Sequence, residues 1–333
     1  MTPLKTKVTK IYNLLLRLAI IVATYYFIYR QLFRHQQLDD LFSELGSLAG
    51  SGAGAGLMLV ILLLMPVNWG LETAKWKMMI ARIEKLGWMQ SFKAVFTGIS
   101  VSFFTPNRTG EYLGRVFILT SANRIEGILI TVAGSISQMA VTLALGLCGL
   151  AFALWSGAGM AGNDRTLYPL LLAITPLLLL MLLLAYFNLG ATARLLKNML
   201  PQRWSRFTDR LAVLEGFSRT VLVRVLLLSL ARYLVFSAQF FLLLRLFSVP
   251  VPYFDALMLI AVIYLVMLIA PSIALLEVGI RGSVSLFVFQ AYLGNPGSNM
   301  GIFFASVLIW LINLVIPALL GTFFVHKLHF FRR

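Results

Sequence analysis

The sequence is short of charged residues, cysteine and histidine, and each shortage excludes a class of protein. Charged residues make up 12% of the 333 positions, about half the share in soluble globular proteins, while hydrophobic residues make up 60%. A water-soluble fold cannot bury so much apolar surface. The single cysteine, Cys148, lies in an apolar run, which excludes a disulfide framework and a Cys-x-x-Cys metal site. We therefore predict a membrane protein with no metal and no cofactor.

Acidic residues are the scarcer of the two charge types. The chain has 12 of them against 28 lysines and arginines, for a net charge of +16. These basic residues flank the apolar runs instead of forming a folded basic domain, which argues against nucleic acid as a partner. We predict that they lie against anionic membrane lipids.

Long apolar runs make up most of the sequence. Six are long enough to cross a bilayer as helices, at about 11–33, 56–80, 127–155, 168–189, 225–247 and 300–325. Two further apolar regions, 91–124 and 254–294, are interrupted near the middle by proline and charged residues, so each is predicted to be a pair of short helices. The predicted fold is all-α and polytopic, with about six full spans and two broken helical hairpins in one transmembrane domain, 1–333.

The basic segments between the apolar runs predict the topology, because loops on the cytoplasmic side of a membrane protein are enriched in lysine and arginine. The strongest signal is the connector 191–224, which is predicted to be a cytoplasmic amphipathic helix at the membrane surface. The basic N-terminus, segment 75–85 and the basic C-terminal tail are predicted to be cytoplasmic as well. The acidic segment near Asp39 and the loop 156–165 then lie outside. Each broken region must return to its own side, either as a re-entrant hairpin or as two full crossings.

The two broken regions resemble each other in sequence. In each, an acidic residue follows a proline by five or six positions, and an arginine follows the acid by four; the residues are Pro106, Glu111 and Arg115, then Pro271, Glu277 and Arg281. A four-residue spacing places acid and arginine on one helical face. With their flanking spans, units 56–155 and 225–325 predict an inverted repeat of the kind found in secondary transporters. A chance likeness, with ion pairs that only neutralise themselves, is the alternative.

Ionisable residues inside membrane segments are costly and are therefore functional candidates. The predicted substrate-binding residues are Arg108, Glu111, Arg115, Glu277 and Arg281. Non-helical backbone at membrane depth must be covered by protein or line a cavity, so the predicted hairpin breaks, Pro106, Asn107, Gly110, Pro271 and Gly279, indicate an internal polar cavity. Glu72, Arg232 and Gln138 are secondary candidates, for which interhelical hydrogen bonds, headgroup contact or snorkelling would be sufficient explanations.

The segment 104–115, FTPNRTGEYLGR, resembles the Pro-x-Arg-x-Gly-Glu signature of the flippase-like family, which includes the transmembrane domain of lysylphosphatidylglycerol synthases. The segment 271–282 is similar to that family's second signature, although Gly282 stands where the family usually has an acid. The resemblance implies lipid translocation in a bacterial inner membrane. Since few residues follow the last predicted span, the fused aminoacyltransferase domain of the full synthases is expected to be absent.

Three functions remain open at this stage. Arginines at a helix break suit a phosphate group, which favours a flippase or scramblase for a phospholipid or lipid-linked headgroup. The chain has no P-loop, HExxH or GxSxG pattern, which argues against an ATP-driven pump and against a membrane-embedded lipid enzyme. A lipid-binding subunit or scaffold for a separate lipid-modifying enzyme is the alternative, and the oligomeric state is left open.

Overall fold

The computed structural model describes residues 50–103, 105, 108–156, 167–201, 205–269, 274–294 and 298–325, together with Ser43 and Gly46. Several predicted features lie outside these residues: the span 11–33, the segment near Asp39, nearly all of loop 156–165, the C-terminal tail, and Pro106, Asn107 and Pro271. Throughout the described part of the chain the regular secondary structure is helical, with no strand.

Four helices form the first set: α1 (Gly52–Ile80), α2 (Trp88–Ser102), α3 (Gly110–Val116) and α4 (Arg124–Trp155). The two long helices begin at residues that suit an N-cap. The Ser51 side chain accepts a hydrogen bond from the Gly54 amide, and the Asn123 side chain accepts one from the Ile125 amide. Both long helices are therefore defined locally by capping as well as by their apolar length.

A linking region and a second set of helices follow. The linking region comprises α5 (Leu167–Phe187), α6 (Leu189–Met199), α7 (Ser205–Thr208) and a 3-10 helix (Asp209–Gly216). The second set comprises α8 (Arg219–Leu246), α9 (Tyr253–Ile269), α10 (Ala274–Leu293), α11 (Asn299–Trp310), a π-helical turn (Leu311–Val315) and α12 (Ile316–Val325). The order of a span, a helix pair and a span thus occurs twice.

Helix length and apolar composition confirm the predicted all-α polytopic membrane fold. Among the described residues, four helices are long and apolar enough to cross a bilayer: α1, α4, α8 and the continuous run 299–324. The bent pair formed by α5 and α6 is a fifth candidate. Large apolar side chains such as Leu63, Leu177 and Met181 are exposed on these helices, as expected where lipid is the solvent.

Packing between the two sets is reciprocal. The first spans, α1 and α8, lie along each other, while the last helix of each set packs against the first short helix of the other, α4 against α9 and α12 against α2. Both of the latter contacts need a glycine. A Cβ on Gly149 would overlap the backbone of α9, and one on Gly321 would overlap the backbone of α2. An inverted two-fold relation between the sets stays a prediction.

Two predicted elements differ from the structure. The connector 191–224 is divided into α6, α7, the 3-10 helix and the start of α8, instead of one amphipathic helix. Leu200 is extended and Pro201 follows it, because a residue before proline is disfavoured in the α conformation. In the second broken region α9 is a short helix of 17 residues, as predicted, but α10 is longer, with 20 residues. The first broken region has helices of 15 and 7 residues, α2 and α3.

Candidate functional site

A buried carboxylate, Glu72 on α1, gathers basic side chains from three helices. It is 3% exposed, and its oxygens lie 2.7 Å from Lys75 Nζ, 2.8 Å from Arg115 Nη1 and 3.1 Å from Arg232 Nη1. Arg115 also pairs with Glu111 one turn earlier in α3. Glu72 is therefore a buried and paired residue, and this ion-pair network joins α1, α3 and α8.

A second ion-pair network connects the two broken regions. Arg108 Nη2 donates to both oxygens of Glu277, at 2.7 and 2.6 Å, and Arg281 Nη2 donates to Oε1 of the same carboxylate at 2.6 Å. Arg108 lies just before α3, whereas Glu277 and Arg281 lie on α10. This carboxylate therefore holds the first break against the second helix pair.

The backbone of Arg108 is unusual. Its φ angle is +57°, in the left-handed region that residues other than glycine rarely occupy. Strained backbone of this kind tends to occur at binding and catalytic sites, where the surrounding structure holds it in place. The conformation places the guanidinium of Arg108 where it reaches the other helix pair, and 37% of its side chain stays exposed.

A chain of side-chain amides adjoins the first network. Arg232 Nε donates to Asn68 Oδ1 at 3.1 Å, Asn68 Nδ2 donates to Asn313 Oδ1 at 2.9 Å, and Asn313 Nδ2 donates to Gln239 Oε1 at 2.7 Å. The Arg232 guanidinium also lies over the Trp69 ring, 4.9 Å from its centroid. Asn313 belongs to the π-helical turn, a distortion that is frequent at functional sites.

Between these networks lies a cavity of about 190 Å³. Its charged lining consists of three arginines, Arg108, Arg232 and Arg281, and none of the described lining residues is acidic. Polar and aromatic residues make up most of the remaining wall: Asn68, Trp69, Gln138, Thr142, Tyr233, Phe236, Tyr264, Trp310 and Asn313. The paired carboxylates of Glu72 and Glu277 lie behind this wall.

Several hydrogen-bond donors at the cavity wall lack a partner among the described residues. They are Arg281 Nε and Nη1, the hydroxyls of Tyr233 and Tyr264, and the indole nitrogens of Trp69 and Trp310, all buried. A buried donor without an acceptor costs about 1–3 kcal/mol, and more when it is charged. The wall therefore offers several donors to an acceptor-rich group.

The structure separates the predicted residues by position. Arg108, Arg281, Arg232 and Gln138 line the cavity, whereas the remaining charged candidates, Glu111, Arg115, Glu72 and Glu277, lie behind it as ion-pair partners. The ion pairs expected from the four-residue spacing are both formed. Gln138 also donates to the Ser229 carbonyl at 3.4 Å.

The two glycines predicted at the breaks behave differently. Gly110 begins α3, and a Cβ there would lie 2.6 Å from the Val101 carbonyl oxygen, so α2 and α3 can approach closely only with glycine at this position. Gly279 is inside α10 and exposed, and no atom of the described residues lies within 4 Å of a Cβ built there. Its assignment to a hairpin break is therefore wrong, because α10 has already begun at Ala274.

Aromatic residues are the part of the site that sequence patterns missed. Tyr233, Tyr264, Trp69 and Trp310 contribute to the cavity wall, yet aromatic residues form 13% of the chain and nothing in their spacing distinguishes these four. As for metals, no cluster of His, Cys, Asp and Glu that could hold an ion occurs in the described part of the chain.

Comparison with known proteins adds one match. Residues 14–321 match the family model described as the lysylphosphatidylglycerol synthase TM region, which is nearly the whole chain. Searches of the curated proteins and of the solved structures found no match. The family match confirms the resemblance seen in segments 104–115 and 271–282.

Proposed function

Because the chain belongs to the lysylphosphatidylglycerol synthase transmembrane-region family, whose members are tied to lipid modification or translocation, we propose that it is a lipid transporter. It acts as a flippase or scramblase that moves a phospholipid or lipid-linked headgroup between leaflets. In this proposal it catalyses no covalent reaction on the lipid. Because the sequence has no P-loop, transport would be passive or coupled to an ion.

The observation that carries the proposal is the arginine-lined cavity where the two broken regions meet. Guanidinium groups bind phosphate oxygens through paired, charge-assisted hydrogen bonds. A cavity of about 190 Å³ has room for several water molecules. It therefore accommodates a phosphate headgroup, while the acyl chains stay in the bilayer.

Movement of one helix set against the other would alternate access to this cavity, as in transporters built from two related halves. The ion pair between Arg108 and Glu277 is one contact that must change in such a movement, because it joins the two sets. A phosphate in the cavity would compete with this carboxylate for the Arg108 guanidinium. Substrate binding would thereby loosen one tie between the sets.

Leaflet-resolved translocation of labelled phospholipids in liposomes tests the proposal. Wild type should move lipid, and Arg281→Ala should reduce the rate about tenfold or more, since a charge-assisted contact is worth at least 1.4 kcal/mol. Arg245→Ala is the matched control, because Arg245 is exposed near the end of α8. A folded, inserted Arg281→Ala protein that moves lipid as fast as wild type would contradict the proposal.

A second candidate is a lipid-binding subunit or scaffold for a separate lipid-modifying enzyme. The observation in its favour is the family itself, which is described as the transmembrane region of a synthase. In that case the purified protein would move no lipid in liposomes, and it would copurify with a lipid-modifying enzyme from native membranes. A membrane-embedded lipid enzyme would instead change the chemistry of added lipids.

A further inference from the structure

The positive and negative charges of the ion-paired residues around the cavity do not cancel. Five basic residues are joined by ion pairs, Lys75, Arg108, Arg115, Arg232 and Arg281, against three carboxylates, Glu72, Glu111 and Glu277. Two positive charges are therefore left over among the described residues. Since arginine stays protonated in proteins, the four arginines would still outnumber the carboxylates if Lys75 were neutral.

The position of the uncompensated charge can be read from the contacts. Arg115 has two carboxylates within reach, whereas Arg108 and Arg281 share one, Glu277. The Arg281 side chain is 9% exposed, and two of its three nitrogens have no partner among the described residues. One excess positive charge therefore lies at the cavity wall, on Arg108 and Arg281. The other belongs to the network of Glu72, in which Arg232 lines the cavity and Lys75 and Arg115 do not.

We infer that the cavity takes a headgroup of net negative charge: a phosphate diester or monoester that carries no compensating amine. The inference rests on the proposed transport function and narrows its substrate. A zwitterionic headgroup would bring a cationic amine to a wall with three arginines and no described acidic residue. An aminoacylated headgroup, with a net positive charge, would be repelled more strongly.

The same chemistry fits a soluble phosphate ester, so the source of the anion must be distinguished. The wall also contains Trp69, Phe236, Trp310, Ile309 and Leu314, whose apolar surfaces favour a group attached to a lipid. We therefore assign the anion to a lipid headgroup.

The test is the ratio of two translocation rates measured in one proteoliposome preparation, for labelled phosphatidylglycerol and labelled phosphatidylcholine. A ratio cancels differences in the amount of folded protein. We expect wild type to move the anionic lipid about tenfold faster or more, which corresponds to about 1.4 kcal/mol of discrimination. A ratio of one or less would overturn the inference while leaving lipid transport intact.

Two variants that break the same ion pair distinguish an effect of charge on the ratio from an effect of altered structure. Arg281→Gln removes one positive charge from the cluster, and Glu277→Gln removes one negative charge. The ratio should fall towards one in Arg281→Gln and should stay high or rise in Glu277→Gln. Arg245→Gln should leave the ratio unchanged, which controls for attraction of anionic lipid to the basic surface. Equal decreases in Arg281→Gln and Glu277→Gln would show a structural effect and refute the charge argument.

A binding measurement distinguishes failure of this inference from failure of the transport proposal. In detergent micelles, phosphatidylglycerol should raise the Tm of wild type but not of Arg281→Gln, while phosphatidylcholine and sn-glycerol 3-phosphate should have little effect. If no lipid moves in liposomes but this stabilisation is found, transport fails and the anionic site stands. Stabilisation by glycerol phosphate equal to that by lipid would assign the site to a soluble anion and overturn the lipid assignment.

Discussion

Removing the charge of Glu72 should destabilise the protein more than the loss of an exposed ion pair would. In Glu72→Gln, Lys75 loses its carboxylate at 2.7 Å and has no other ion-pair partner among the described residues. Arg115 keeps Glu111, and Arg232 keeps Asn68 and the Trp69 ring. The main cost is thus one buried, uncompensated ammonium group.

Breaking a buried ion pair by removing one partner costs about 3–5 kcal/mol. We expect about 3 kcal/mol here, at the lower end of that range, because two of the three basic partners keep other contacts. The assay is equilibrium unfolding of the purified protein in mixed micelles with increasing SDS, followed by circular dichroism. Glu126→Gln is the control, since its pair with Arg210 is partly exposed and should be worth at most about 1 kcal/mol.

A double variant sharpens this test. Glu72→Gln combined with Lys75→Met removes the carboxylate and the ammonium group together, so it should recover more than half of the lost stability. Replacement of a whole buried pair by uncharged groups is frequently close to neutral. The reasoning is refuted if the free energy of unfolding of Glu72→Gln lies within about 1 kcal/mol of that of the control. It is also refuted if the double variant is no more stable than Glu72→Gln alone.

Three further predictions use the same unfolding assay. Gly114→Ala should lose about 1–3 kcal/mol, because its Cβ would lie 2.6 Å from the Gly98 Cα, whereas Gly70→Ala, with nothing within 4 Å, should gain about 0.5–1 kcal/mol; equal effects would refute this. Burial alone would raise the pKa of Glu84, but hydrogen bonds from Thr120, Ser121 and Ala122 outweigh it and lower the pKa from 4.5 to about 2. Stability from Glu84 is thus present above pH 4.5 and is lost as the pH falls towards 2, and a Glu84→Gln protein with the same acid dependence as wild type would contradict this. Asn313→Leu should cost about 1–3 kcal/mol, because Asn68 Nδ2 and Gln239 Oε1 each lose their partner, and a cost below 0.5 kcal/mol would argue against the amide chain.

The long spans were predictable because a membrane helix needs only length and apolar composition. The predicted runs 56–80 and 225–247 compare with helices Gly52–Ile80 and Arg219–Leu246. The breaks were harder to interpret. Gly279 looked like a helix breaker in the sequence, yet glycine is tolerated inside membrane helices, and α10 continues through it with open space on that side.

Sequence spacing predicted contacts within a helix and missed contacts between helices. The pairs Glu111–Arg115 and Glu277–Arg281 follow from a four-residue interval. The link from Arg108 to Glu277 joins residues 169 positions apart, and the partners of Glu72 come from three helices. Such contacts depend on how the two helix sets pack, which a single sequence does not encode in any local pattern.

The unpartnered atoms at the cavity wall link stability to function. Two nitrogens of the buried Arg281 guanidinium have no partner among the described residues, which destabilises the fold. Substitution by a neutral residue would relieve that cost if Arg281 had only a structural role. An anion that binds only the folded state adds a stabilisation of RT ln(1 + [L]/Kd), about 2.7 kcal/mol at one hundred times Kd. Arg281→Gln should therefore be close to wild type in stability when no lipid is added and clearly less stable than wild type at saturating phosphatidylglycerol. A stability difference that is large without lipid and does not grow with it would instead identify Arg281 as a partner of Glu277 alone.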